Sequence, residues 1–438
     1  MGGASVRFGA EAMALLFSFG TGLVTARSLG PQGKGDLATM GYMMVLFVYV
    51  AALGLGEASI TLHGRGRDLR ELLSRVMGIL SVSAVVSVAA YLAVTFGIIG
   101  RGSKGAHVAL VITAAQLPVL TVLVVFVVFI EGRREFWASS LSRVSAQAVA
   151  FGATVVLVGV LQRGIAGAAI AALAGWVVGL VVVVAALRRL RLVSRPVRPG
   201  PDLRPLLRIG LPIQTSYLLW AATTRLDVVL VRSLRGSGDA GDYSVATTLG
   251  ALSSFAALGL ASAAYPRLAE LRGTELRELT ARATRLALLV PILIGIPLAL
   301  VFPALVPRLF GPGFRGAVGP AVVLLTGGTL WSGQWMLTRA HAAVGQTSLL
   351  VQSFAANLMT MVVLDLVLIP SHGIMGAAFA SVAGSAVGFG VALLRFGRSG
   401  NMREVLPRPS DLQEFATMVG RLRAARQVRS GRPLEPPP

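Results

Sequence analysis

The chain says the same thing twice. LRELLSR at Leu69–Arg75 returns as LRELTAR at Leu276–Arg282, 207 positions later. RSL at Arg27–Leu29 returns at Arg232–Leu234, 205 positions later. The string G-I-x-G-A-A-x-A at Gly164–Ala171 returns at Gly373–Ala380, 209 positions later. Chance can give one such echo. Three at nearly one offset, each at a corresponding place among the apolar runs, mark a duplicated bundle. In a membrane, two copies in the same order are the plan of a transporter.

Composition places the duplication in lipid. The 438 residues are 55% hydrophobic and 13% charged, with a mean hydropathy of +0.75. A soluble domain has no interior large enough for so much apolar surface. The net charge of +21 raises the question of nucleic acid. The basic residues argue against it, because they sit in short segments beside apolar runs. No aromatic-interleaved basic surface accompanies them. There are no cysteines, which excludes a disulfide framework, a thiolate nucleophile or a cysteine metal site. The first apolar run carries Glu11 and lacks a small-residue cleavage site, so it reads as a retained helix.

The predicted fold class is an all-α integral membrane protein with twelve transmembrane helices in two six-helix repeats. The spans are 8–29, 37–60, 74–98, 106–130, 137–161, 164–187, 209–231, 241–264, 283–307, 317–340, 347–369 and 373–396. Each supplies the roughly 20 residues a helix needs to cross the hydrocarbon. Backbone groups in lipid must be satisfied within the segment, which selects helices. Small residues within the spans permit close packing. The expected organisation is an N-terminal bundle at 1–187, a basic linker at 188–208, a C-terminal bundle at 209–396 and a basic tail at 397–438. With the N-terminus inside, 29 Lys and Arg fall in inner segments, 9 in outer loops and 2 within spans. The positive-inside rule then puts both termini in the cytoplasm of a cell-membrane protein. Linker prolines and arginines suit a strap near anionic lipids. Ser410–Arg429 reads as an amphipathic helix capped by Ser410 and Gln413, or as a disordered basic tail.

Chemistry has few places to sit. The four histidines show no metal-ligand spacing, and GPQGKGD at Gly30–Asp36 lacks the residues of a phosphate loop and reads as an outer turn. The expectation is a chain that is not an enzyme. What remains are ionisable residues inside spans, each costing a few kcal/mol at mid-bilayer unless it faces a partner or water. Arg225 and Asp227 are two positions apart in span seven and point to different sides. Asp365 of span eleven and Ser381 of span twelve fall at about the depth of Asp227. Two carboxylates and a hydroxyl at one level suit Na⁺ or H⁺ coupling; the alternative is an Arg225–Asp227 structural pair with an interfacial Asp365. Glu11 and Arg143 lie near the cytoplasmic ends of spans one and five. They form either an interhelical salt bridge or part of a basic cavity for a phosphate-bearing substrate. Arg27 and Arg232, at corresponding span ends, are expected to snorkel to outer headgroups.

ARSLGPQGKGDLA after span one resembles the ARxLGPxxxGxxxL segment of bacterial lipid-linked oligosaccharide flippases of the Wzx type. LLRIGLPIQTSYLLWAATTRLDVVLVRSL resembles their seventh helix, and LIPSHGIMGAAFAS their junction between helices eleven and twelve. The resemblance covers about residues 5–396. It implies membership of the MOP superfamily, with lipid II flippases and MATE exporters, and two six-helix bundles that rock about a central cavity. It implies a polyprenyl-diphosphate-linked oligosaccharide as substrate, with Arg225, Arg143 and Glu11 toward it. Some relatives bind Na⁺ between helices seven, eleven and twelve, at places like those of Asp227, Asp365 and Ser381. The chain departs from them at Met361, where a polar ligand is often found; Asn357 is two turns from Asp365. Expected partners are the lipid-linked glycan, anionic lipids and the glycosyltransferases or polymerase of one pathway, around a monomer. An exporter of drugs or small solutes would show an acidic or aromatic cavity rather than arginine. A membrane polymerase or ligase would show a large outer loop.

Overall fold

The computed structural model describes residues 2–100, 104–133, 135–192, 203–255, 259, 267–268, 270–345, 348–397, 401–413 and 417. The linker at 193–202 and most of the tail lie outside the described residues, as does most of span eight beyond Phe255.

Among the described residues the chain is all helix, with eleven α-helices and no strand. They are α1 (Gly2–Ala52), α2 (Leu55–His63), α3 (Leu69–Ile99), α4 (Lys104–Gly132), α5 (Phe136–Thr154), α6 (Gly164–Arg189), α7 (Arg204–Arg235), α8 (Ser237–Gly250), α9 (Gly273–Phe310), α10 (Val318–Ala343) and α11 (Ser348–Gly397). Seven helical stretches are long and apolar enough to cross a membrane. Eleven helices differ from twelve spans partly because two expected turns shrink to single residues. Gly30 (φ 65°) breaks α1 and Gly373 (φ 60°) breaks α11. A positive φ is open to glycine without steric cost. The first break reverses the chain: Lys34 Nζ lies 3.0 Å from Thr25 Oγ1 and 3.4 Å from the Gly22 carbonyl. A straight helix would hold residues 22 and 34 about 18 Å apart. The stretch read as an outer turn is therefore helical on both sides of Gly30.

The helices wear their apolar residues on the outside as well as the inside. On α3, Leu80, Ala84, Ser87 and Tyr91 are buried, while Val82, Val85, Val86 and Phe96 are exposed. A soluble helix cannot leave the second set in water; a lipid-facing one can.

The chain forms two compact units. The first contains 1–247, 302–320 and 361–380. Its core runs through Met40, Tyr91, Leu117, Phe129 and Leu187. Small residues set its closest packing: a Cβ on Gly175 of α6 would strike the Ala146 backbone of α5. Nearby, Ser142 donates to the Gly179 carbonyl at 2.9 Å. The second unit contains 248–301, 321–360 and 381–438. Its core joins Ala281 and Leu288 of α9, Leu337 of α10 and Phe389 and Phe396 of α11. Val405, from the chain beyond α11, packs into the same cluster. That segment is anchored by charge. Arg285 Nε lies 3.0 Å from both oxygens of Asp411, and Arg277 Nε lies 2.9 Å from Glu404. The tail helix begins at Pro409, a residue suited to a first helical position. Ser410 therefore lies inside the first turn and does not cap it.

Candidate functional site

α7 starts on a proline near its N-terminus and carries the two charges of the Arg-Leu-Asp triplet deep into the first unit. They do not pair. Asp227 is buried; one oxygen accepts the Val228 N–H at 2.8 Å and the other the Tyr243 hydroxyl at 2.9 Å. The Arg225 guanidinium instead lies 4.6 Å above the ring of Tyr42, from the second half of α1. Among the described residues Arg225 makes no ion pair. Positions two apart on a helix diverge by about 200°, so each charge had to find its own partner. No hydrogen bond or salt bridge joins the two among the described residues.

Asp365 of α11 is wholly buried and lies on one helix face with Met361 and Ile369, both also fully buried. Neither carboxyl oxygen has a hydrogen-bond partner among the described residues. Asp227 and Asp365 both belong to the first unit. Ser381 belongs to the second unit, so the expected trio is divided between units. Asn357 is committed elsewhere. It donates to Gln334 at 2.9 Å, Gln334 to Ser353 at 2.9 Å, and Ser353 to the Gly388 carbonyl at 2.8 Å.

Glu11 and Arg143 do meet. Arg143 Nη1 lies 3.1 Å from both Glu11 oxygens, bridging α1 and α5 within the first unit. The pair is half-exposed, with side chains 48% and 41% accessible. Exposed pairs of this kind are worth about 0–1 kcal/mol, so either partner can be exchanged for another ligand at little cost.

The end of the first unit at Gly30 is closed by arginine. Arg27 Nε and Nη2 donate to the Leu309 and Arg308 carbonyls at 2.6 Å each, at the C-terminus of α9. Arg232 Nε lies 2.8 Å from Asp36 Oδ1, and its Nη2 lies 3.4 Å from the Ile99 carbonyl, at the C-terminus of α3. The last carbonyls of a helix have no intrahelical partner, and arginine satisfies them well. The snorkelling expected of Arg27 and Arg232 is corrected: both reach into protein. Backbones also meet here. A Cβ on Gly35 would collide with the Ser237 carbonyl, and one on Gly241 with that of Pro31.

The sequence matches the polysaccharide biosynthesis protein family over residues 3–272. The chain belongs to that family. Comparison with curated proteins finds no match. Among solved structures, the lipid II flippase MurJ in an inward closed conformation aligns with a TM-score of 0.78 at 14% identity, covering 92% of this chain and 88% of its own. An inward-facing multidrug resistance MATE family transporter of the MOP superfamily aligns at 0.69 and 17% identity, covering 90% and 98%. A MOP superfamily transporter from Pyrococcus furiosus, described as having a binding pocket of reversed polarity, aligns at 0.60 and 17% identity, covering 90% and 93%. The fold is that of MOP transporters, and with its lipid-facing helices the chain is a multi-pass membrane protein. The solved structures named here are described as transporters and a flippase.

Several residues of this family member escaped the sequence. Tyr243 is 16 positions from the Asp227 it serves, and nothing local marks it. Asp36 sat in a stretch read as a turn. Tyr42 looked like one more residue of an apolar span. The only usable signal was the repeated RSL, which marked Arg27 and Arg232 as equivalent before either had a partner.

Proposed function

We propose that this chain flips a polyprenyl-diphosphate-linked oligosaccharide from the cytoplasmic to the outer leaflet of the cell membrane, for surface polysaccharide assembly. The observation that carries this is Arg225. It is a half-buried guanidinium of α7, in the stretch expected as span seven, with no salt bridge to a carboxylate among the described residues. Such a group costs several kcal/mol unless a ligand uses it. A diphosphate suits it, because the planar fork donates paired hydrogen bonds to phosphate oxygens. Arg143 is the second cation, exchanging Glu11 for phosphate. The sugar headgroup cannot cross hydrocarbon unaided and needs a polar path. The lipid tail stays in the bilayer.

The mechanism is alternating access by two six-helix repeats of twelve spans, with both termini cytoplasmic. The breaks at Gly30 and Gly373 support it, since each splits a long helix into two spans. The arginine closures support it further. Arg27 of one repeat reaches the end of the third helix of the other, and Arg232 does the same in return. That reciprocity is what two copies related by a pseudo-two-fold produce. The closed end is then the outer end, and both MurJ and the MATE transporter above are described in inward states. Asp227 and Asp365 take the coupling ion. The orphaned Asp365 oxygens fit a Na⁺ or a proton, either of which would relieve an unpaired buried charge. The protein works as a monomer, among anionic lipids, next to the glycosyltransferases or polymerase of its pathway.

The test is leaflet transfer of a fluorescent polyprenyl-diphosphate sugar in proteoliposomes. Losing a charged hydrogen-bonding group of about 1.5–3 kcal/mol predicts that Arg225→Ala slows transfer by about 10- to 100-fold. Arg225→Lys should fall between, since an ammonium lacks the fork. A well-folded Arg225→Ala protein with full transfer overturns the reading. So does a wild-type protein that exports cationic dyes and leaves the probe in place.

A further inference from the structure

The second half of α1 and α7 meet along an aromatic seam. Tyr49 of α1 stacks on Tyr217 of α7, with ring centroids 6.1 Å apart and planes within 17°. Trp220 of α7 meets Tyr49 edge-on, at 6.4 Å and 81°. Seven residues before Tyr49, Tyr42 carries Arg225 on its face at 4.6 Å. The pairings run in opposite order along the two helices, so the seam is a continuous antiparallel strip. Arg225 stands at one end and the three rings a further two turns along. Gln214 joins the same face of α7; it is buried, and its Nε2 has no hydrogen-bond partner among the described residues.

The expected spans place this cluster away from the interface. Interfacial aromatics gather at headgroup level. Trp220 is 11 positions from either end of the expected span 209–231, about 16 Å from each end at 1.5 Å per residue. Tyr49 sits equally deep in 37–60. A dry helix contact at that depth needs no phenol hydroxyls, no unpaired amide and no guanidinium. Mid-membrane polar groups belong to a wet path. Aromatic rings with a few convergent polar groups are the usual lining of a small-molecule site.

We propose that Tyr49, Tyr217 and Trp220 form a wall on which the pyranose rings next to the diphosphate stack while Arg225 holds the diphosphate. The proposal rests on the lipid-linked glycan reading above and adds where the sugar is read. A pyranose presents an apolar face of C–H groups, which an aromatic ring takes, and a rim of hydroxyls, which Gln214 and the phenols take. From Arg225 to Tyr217 is eight residues, about 12 Å along α7. That separation leaves room for the anionic bridge at one end and the first sugar at the other. Rings alone would serve a cationic drug equally well. Arg225 decides against one, because it repels a cation in the position where a drug site would place an acid.

Two probes separate sugar from diphosphate. One is a short-chain prenyl diphosphate carrying a single N-acetylhexosamine; the other is the same prenyl diphosphate without sugar. Both are titrated against the full-length protein in nanodiscs, and transfer of a longer-chain fluorescent pair is followed in proteoliposomes. Wild type should prefer the sugar-bearing probe. Trp220→Leu should reduce that preference about tenfold, the scale of one lost stacking contact. Trp220→Phe, which keeps a ring, should lose clearly less. Retained binding of the bare diphosphate by Trp220→Leu shows that the variant is folded. Arg225→Gln should weaken both probes alike. If wild type binds and transfers the glycan probe but Trp220→Leu keeps the full preference, the stacking wall is wrong and the flippase reading stands. If wild type binds neither probe, the flippase reading itself fails and the wall fails with it. Binding of ethidium that Trp220→Leu abolishes, with no binding of either prenyl probe, makes the seam a drug site and overturns the proposal.

Discussion

Breaking the Arg232–Asp36 pair should open the Gly30 end of the first unit, the outer end in the proposed orientation. The two charges are 2.8 Å apart, with side chains 14% and 12% exposed. Removing one partner of a buried pair leaves the other uncompensated and costs about 3–5 kcal/mol. Two features lower that figure here. Water reaches the edge of the pair, and the Arg27 bonds to Arg308 and Leu309 survive. We expect Arg232→Ala to favour the open state by about 2–3 kcal/mol, roughly a 30- to 140-fold change in the open-to-closed ratio. The chain contains no cysteine, so a single reporter thiol is readily placed. Ala240 is fully buried and precedes Gly241, whose backbone meets Pro31. In an A240C background, a membrane-impermeant maleimide added from outside reads opening as a labelling rate. Arg235→Ala is the control. Arg235 pairs with Asp239 one turn away on the surface, at 44% and 38% exposure, and its loss should change the rate by less than about fivefold. If Arg232→Ala labels no faster than Arg235→Ala, the closure is not a latch and the reasoning from burial is wrong.

Three further outcomes follow from other parts of the molecule. Asp365→Asn removes a buried carboxylate without a hydrogen-bond partner, so it should abolish any Na⁺ or pH dependence of transfer and raise thermal stability by about 1–3 kcal/mol. Ion dependence that persists in this variant, read in the proteoliposome assay, removes Asp365 from coupling. In the second unit, Asp411→Asn should free the segment after α11, seen as faster limited proteolysis near 401–413. The nearby Glu404 is held below its ordinary value of 4.5 mainly by its hydrogen bond to Arg277. Its contribution is therefore present above pH 4.5 and lost as pH falls through the lowered value. Proteolysis of wild type should be flat from neutral pH down to about 4.5 and rise only below it; a rise already at pH 6 would point to another group.

The sequence by itself determined the solvent. An apolar fraction this high, with charge confined between long runs, allows helices in lipid and little else. The three echoes were visible at once, because repeats are written in the chain and need no fold to be seen. Local structure was legible too: α3, α6 and α7 lie close to their expected bounds. What the tertiary structure decided was partnership. Asp227 chose Tyr243, Arg225 chose Tyr42, Arg232 chose Asp36, and Arg27 chose the end of α9. Asn357 was lost to Gln334. None of these could be read from spacing, because a helix fixes only the direction in which a side chain leaves its axis. The residue waiting in that direction is set by how separate helices pack, and in lipid that depends on small residues and shape more than on any pattern of apolar against polar.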